Sequence, residues 1–81
     1  MSLRPKKRSL TLQGHRTSVT LEDRFWAAFC EIGRKEGKSI NQLAIEIDLT
    51  RDPETEGLAS AIRDFVLKYY MDKVTDTSSS L

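Results

Sequence analysis

Apolar and polar residues alternate twice near the start of the chain, then recur at helical spacing for most of the remainder. Ser9-Leu10-Thr11-Leu12 alternates with period two, as a short strand does. Gln13-Gly14-His15 interrupts the run, and Gly14 suits a bend or bulge. Arg16-Thr17-Ser18-Val19-Thr20-Leu21 then alternates again. In a strand this places Arg16, Ser18 and Thr20 on one face and Thr17, Val19 and Leu21 on the other. The first face carries hydrogen-bonding heads; the second suits a core.

After Leu21 the period changes. Thr20 or Glu22 can open a helix whose first turn holds Glu22 and Asp23, the sign its dipole favours. Phe25, Ala28, Phe29 and Ile32 form its apolar stripe, and Gly37 closes it behind Arg34 and Lys35. Trp26 and Cys30 flank that stripe, where they would receive a later helix. Ser39 is an N-cap for a second helix with Ile40, Leu43, Ala44 and Ile47 at the same spacing. Asp48 to Pro53 is polar and turn-prone, and Asp52-Pro53 reads as a further cap followed by proline. From about Glu56 a third helix carries Leu58, Ala59, Ile62, Phe65, Val66, Tyr69 and Tyr70. Thr75 to Leu81 has nothing to bury and reads as a disordered tail. The expected division is a basic arm over 1–8, a packed domain over 9–74 and a tail over 75–81.

A lone strand leaves its backbone groups unsatisfied, so the strand ending at Leu21 must pair with something. The economical partner is the same strand of a second subunit, giving an antiparallel ribbon across a two-fold axis. The expected fold class is therefore α+β and mainly helical: an intersubunit ribbon, two helices and a third C-terminal helix, as an obligate dimer. Its dimer core would comprise Val19, Leu21, Phe25, Phe29, Ile32, Ile40, Leu43 and Ile47. A chain of 81 residues buries only about 60% of its unfolded surface, which favours such a partnership.

The formal charge is only +1, yet its distribution is uneven. Residues 1–16 hold Arg4, Lys6, Lys7, Arg8 and Arg16 with no acid, and the rest of the chain is net acidic. A basic arm on an acidic body points to an anionic partner, nucleic acid first, against a plain solvated tail. No apolar run is long enough for a membrane span or a secretory signal. The single cysteine, Cys30, excludes an internal disulfide framework and points to a reducing, cytoplasmic setting; packing filler is its expected role. His15, the one histidine, suits a turn or phosphate contact and not a metal site. There is no phosphate loop, nucleophile–base pair or zinc spacing, so neither enzyme activity nor a cofactor is expected.

The order of elements resembles the ribbon-helix-helix (Arc/MetJ-type) DNA-binding family of bacteria and their phages. Arg16 to Glu22, the stripe from Phe25 to Ile32 and the Gly37-Lys38-Ser39-Ile40-Asn41 turn carry the resemblance. The longer string Lys7-Arg8-Ser9-Leu10, Gly14 to Val19, Leu21-Glu22 and Phe25-Trp26 looks like the signature of one subfamily, shared with Leu58 to Arg63. The resemblance implies a dimeric ribbon in the major groove of double-stranded DNA, where every base pair presents a distinct pattern. By position it assigns base contacts to Arg16, Ser18 and Thr20. It also assigns phosphate contact to Lys38, Ser39, Ile40 and Asn41, where a helix N-terminus favours an anion. Lys6, Lys7 and Arg8 add phosphate contacts from the arm. The expected role is a cytoplasmic transcription regulator, a repressor of the kind that can act on its own promoter, with dimers associating further along DNA. The rival is an antitoxin-like module whose C-terminal helix binds a partner protein.

Overall fold

The computed structural model describes residues 4–52 and 57–79, with side chains as far as Val74. Five elements follow one another: β1 (Lys6–Leu12), β2 (His15–Leu21), α1 (Asp23–Glu36), α2 (Ile40–Thr50) and α3 (Leu58–Ser79). The helix start read at Asp52-Pro53 falls partly outside the described residues.

β1 and β2 form a two-stranded antiparallel sheet in which Ser9 faces Ser18 and Leu12 faces His15. Gln13 and Gly14 connect them, both at positive φ, 52° and 83°. Two positive values in a two-residue loop are what a type I′ turn requires, and its twist matches that of the flanking strands. Gly14 adopts this conformation without strain. The ladder that β2 was expected to take from a second subunit is thus supplied by β1 of the same chain. The reason lies in the loop: a two-residue return brings the partner back at once, whereas joining two chains costs about 4–15 kcal/mol of lost freedom. Lys6, Lys7 and Arg8, expected in a separate arm, open β1.

The pleat sends Leu10, Val19 and Leu21 to the underside of the sheet, where all three are buried. They meet Phe29 and Ile32 of α1, Leu43, Ala44 and Ile47 of α2, and Ala61, Ile62 and Val66 of α3. Phe25 and Ile40 are half-buried at the margin of this cluster. The residues assigned to a dimer core therefore form, with Leu10 and the α3 residues, the core of one chain. Phe29 and Phe65 meet edge to face at 6.5 Å, joining α1 to α3. α2 lies against β1, and α3 against β2.

Helix ends follow the sequence closely. Gly37 takes the left-handed conformation after α1, and its N–H and that of Lys38 return to the carbonyls of Arg34 and Gly33. Gly33 is small for a reason: a Cβ there would sit 2.8 Å from the Lys38 carbonyl oxygen. The Ser39 hydroxyl accepts from the Gln42 N–H at 3.1 Å and caps α2. Helical backbone in α3 continues to Ser79, into the segment read as a tail.

Asparagine tolerates positive φ better than glutamine and is the favoured residue ahead of glycine in this loop. Gln13→Asn should stabilise the fold by about 0.5–1 kcal/mol, raising the thermal midpoint by roughly 2–8 °C. A thermal melt followed by circular dichroism checks it; an unchanged or lower midpoint would contradict the turn described.

Candidate nucleic-acid interface

With Leu10, Val19 and Leu21 pointing down, the alternate residues of both strands must point up. The cross-strand pairs Lys7–Thr20, Ser9–Ser18 and Thr11–Arg16 form this upper face, and every one of these residues is exposed. The face holds two cations, hydroxyls and no acid. Lys7 and Arg16 sit at opposite ends on different strands, and neither side chain has a hydrogen-bond or ion-pair partner among the described residues. Arg16 to Thr20 spans about 14 Å at strand rise, roughly four base-pair steps. Two strands about 4.8 Å apart fit a major groove about 12 Å wide.

The edges of the sheet are tied down from the helices. On β1 the Thr11 N–H donates to Asn41 Oδ1 at 3.0 Å, which fixes the start of α2 beside the strand. On β2 the Thr20 carbonyl accepts from Arg63 Nη2 of α3 at 3.2 Å. Arg63 also grips the Glu22 carboxylate, with Nε 3.0 Å from Oε1 and Nη2 3.3 Å from Oε2. That bidentate pair holds α3 against the corner where β2 enters α1. The Arg63 hydrogen bond is the main reason the Glu22 carboxyl titrates below its ordinary range.

The basic residues expected on phosphate divide into two groups. Arg8 points to the underside, bonds the Asp23 carboxylate and lies over the Trp26 ring at 5.3 Å. Its side chain is only 21% exposed, so its charge is engaged within the fold. Lys6 lies 3.4 Å from the other Asp23 oxygen but is 53% exposed. Partial burial alone would raise the Asp23 carboxyl, but hydrogen bonds from Arg8 and Lys6 outweigh it and lower it overall. At the start of α2, the Lys38 N–H is already spent on Gly33, while its ammonium meets Glu46 at 2.9 Å on the surface. The N–H groups of Ser39, Ile40 and Asn41 remain in the first turn, where a helix has no internal acceptors for them.

A family model for the ribbon-helix-helix domain matches residues 5–70, from just before β1 well into α3. The chain belongs to the ribbon-helix-helix family. That family consists of DNA-binding regulators, whose domains generally bind DNA as dimers. Neither curated proteins nor solved structures gave a match.

Within this ribbon-helix-helix chain the structure brings Arg16, Ser18 and Thr20 together on one face, as parity requires, and sets the first turn of α2 at the β1 edge. His15 belongs to the opposite parity and lines a cleft of about 280 Å³ with Leu12, Thr17, Asp48 and Leu58. Cys30 is half-buried in α1. Trp26 faces Phe29 and Arg8, and Tyr69 and Tyr70 are half-buried, their hydroxyls donating to Glu36 and Glu31. No helix among the described residues is long and apolar enough to cross a membrane.

Three contributors went unread in the sequence. The first run as the ribbon's second strand had a signal: a loop of two residues between two alternating runs. Leu10 as a core residue follows from the same signal. The Arg63 clamp had none, because nothing local marks an arginine that reaches back 41 positions to Glu22.

A carboxyl lowered by folding adds stability that is complete above its unfolded pKa and lost as pH falls through its folded one. Glu22→Gln should therefore lower the melting temperature at pH 7, with the gap from wild type closing as pH falls through the ordinary carboxylate range. Melts from pH 7 to pH 3 check it; a gap independent of pH would contradict the Glu22–Arg63 pair.

Proposed function

We propose that this chain is a sequence-specific regulator of transcription that lays the upper face of its ribbon in the major groove of double-stranded DNA. The observation that carries this reading is the face itself: exposed, free of acids and seated on a core that fixes its side chains' direction. Arg16 is the strongest candidate for base contact, since a guanidinium matches the two acceptors of guanine. Ser18 and Thr20 read less strictly. The first turn of α2 receives a backbone phosphate beside the ribbon, through the N–H groups of Ser39, Ile40 and Asn41 and the Lys38 ammonium. The Lys38–Glu46 pair is exposed and weak enough for a phosphate to displace the carboxylate. Lys6 adds charge at the open end of β1.

A second reading has its own observation. Leu67, Met71 and Val74 share one face of α3 and remain exposed, forming an apolar groove with Tyr70. An apolar stripe of this kind suits a helix of another chain. It is compatible with DNA binding, because it lies on a different element from the ribbon.

Selection of bound sequences from a random duplex pool tests the main reading. An enriched motif is the expected result, and recovery without sequence preference would contradict it. On that motif Arg16→Ala should cost about 1–3 kcal/mol and relax the preference at one position. Equal loss on every sequence would remove Arg16 from base contact. Lys38→Ala should weaken binding on all sequences alike and reduce the slope of log K against log salt by about 0.9. An unchanged slope would remove Lys38 from phosphate contact.

A further inference from the structure

A ribbon made by two identical chains presents each residue twice, related by a two-fold axis, and so suits a palindromic site. The sheet here has different symmetry. Its strands are Lys6–Leu12 and His15–Leu21, joined at one end by Gln13-Gly14, with unlike residues at matched positions of the upper face. Lys7 stands opposite Thr20, and Thr11 opposite Arg16. Widening the sheet by pairing β2 with a second β2 would add two further strands, and four strands span about 14 Å before side chains are counted. That exceeds a groove about 12 Å wide. One chain thus supplies a complete groove-filling ribbon, and its two strands carry different chemistry.

We infer that Lys7, Ser9 and Thr11 of β1 are specificity-determining residues that read bases beside Arg16, Ser18 and Thr20, so the contact set of one groove comes from one chain and has no two-fold symmetry. This rests on the DNA-binding reading of that face. The lysine matters most. It was assigned to phosphate as part of an arm, but the register places it on the upper face, pointing the same way as Thr20 and about 14 Å along β1 from Thr11. An ammonium there reaches guanine acceptors as Arg16 does at the other end. Ser9 and Thr11 add hydroxyls between them. The β1 edge cannot slide away from this position, because Asn41 holds the Thr11 N–H and Arg8 is anchored to Asp23 and Trp26.

The test is selection from a random duplex pool with three full-length proteins: wild type, Arg16→Ala, and a β1 variant combining Lys7→Ala, Ser9→Ala and Thr11→Val. All three β1 positions are exposed and valine keeps the shape of threonine, so circular dichroism should match wild type. If the combination proves unstable, Lys7→Ala alone takes its place. The expected result is a motif asymmetric within the few base pairs beneath one ribbon. The β1 variant should lose roughly 5- to 150-fold of discrimination at positions that Arg16→Ala leaves alone, and the converse should hold for Arg16→Ala. If Arg16→Ala alters the motif while the β1 variant weakens all sequences equally, β1 contacts only backbone; this inference fails and the DNA-binding reading stands. A motif palindromic about the centre of the ribbon would also overturn it. If no protein selects any motif, both fall together.

Discussion

Backbone N–H and C=O groups of a strand packed on a core lose water on that side and must find partners, so β2 stands only if something pairs with it. Everything else in the molecule follows from what that partner is. Gln13 and Gly14 turn the chain back within two residues, and β1 becomes the partner. The ladder fixes the register, the register fixes which side chains face down, and those residues decide where the helices sit. Leu10, Val19 and Leu21 make a floor on which α1, α2 and α3 close, and the upper face is left to polar side chains without competing contacts.

The helices do more than cover the floor. α2 starts at the β1 edge through Asn41, and α3 is tied to the β2 edge through Arg63. The ribbon is thus flanked on both edges by elements fixed to its own backbone, which limits how far the strands can twist or shear. A face meant to match base edges gains from such restraint, since displacement of a contacting group by about an ångström is enough to lose a hydrogen bond. The same arrangement places the open N–H groups of Ser39, Ile40 and Asn41 beside the groove face, where an anion belongs. The family's DNA-binding role and the chemistry of this surface therefore agree at the level of individual residues.

Much of this was legible in the sequence, for physical reasons that differ from residue to residue. Period two exposes the faces of a strand, so Arg16, Ser18 and Thr20 were separable from Val19 and Leu21 without coordinates. Ser39 and Gly37 were readable because caps depend on the residue and its immediate neighbours. The pairing partner was harder. A strand in need of a ladder is satisfied equally by a neighbour in the chain or by a second molecule, and glutamine is an unusual residue ahead of glycine in a two-residue loop. Long-range ties such as Arg63 to Glu22 leave no local pattern at all.

The central claim is that the ribbon closes within one chain. The most direct measurement is an isotope-filtered NOE experiment on a mixture of labelled and unlabelled protein, observing the Hα–Hα contact between Ser9 and Ser18. Those residues face each other across the ladder, and the tied Thr11 and Thr20 backbone groups mark their pairs as the closely spaced, non-hydrogen-bonded kind. The account predicts a strong contact within labelled chains and none between labelled and unlabelled ones. A Ser9–Ser18 or Ser18–Ser18 contact between chains would contradict it and return the ribbon to an interface shared by two subunits.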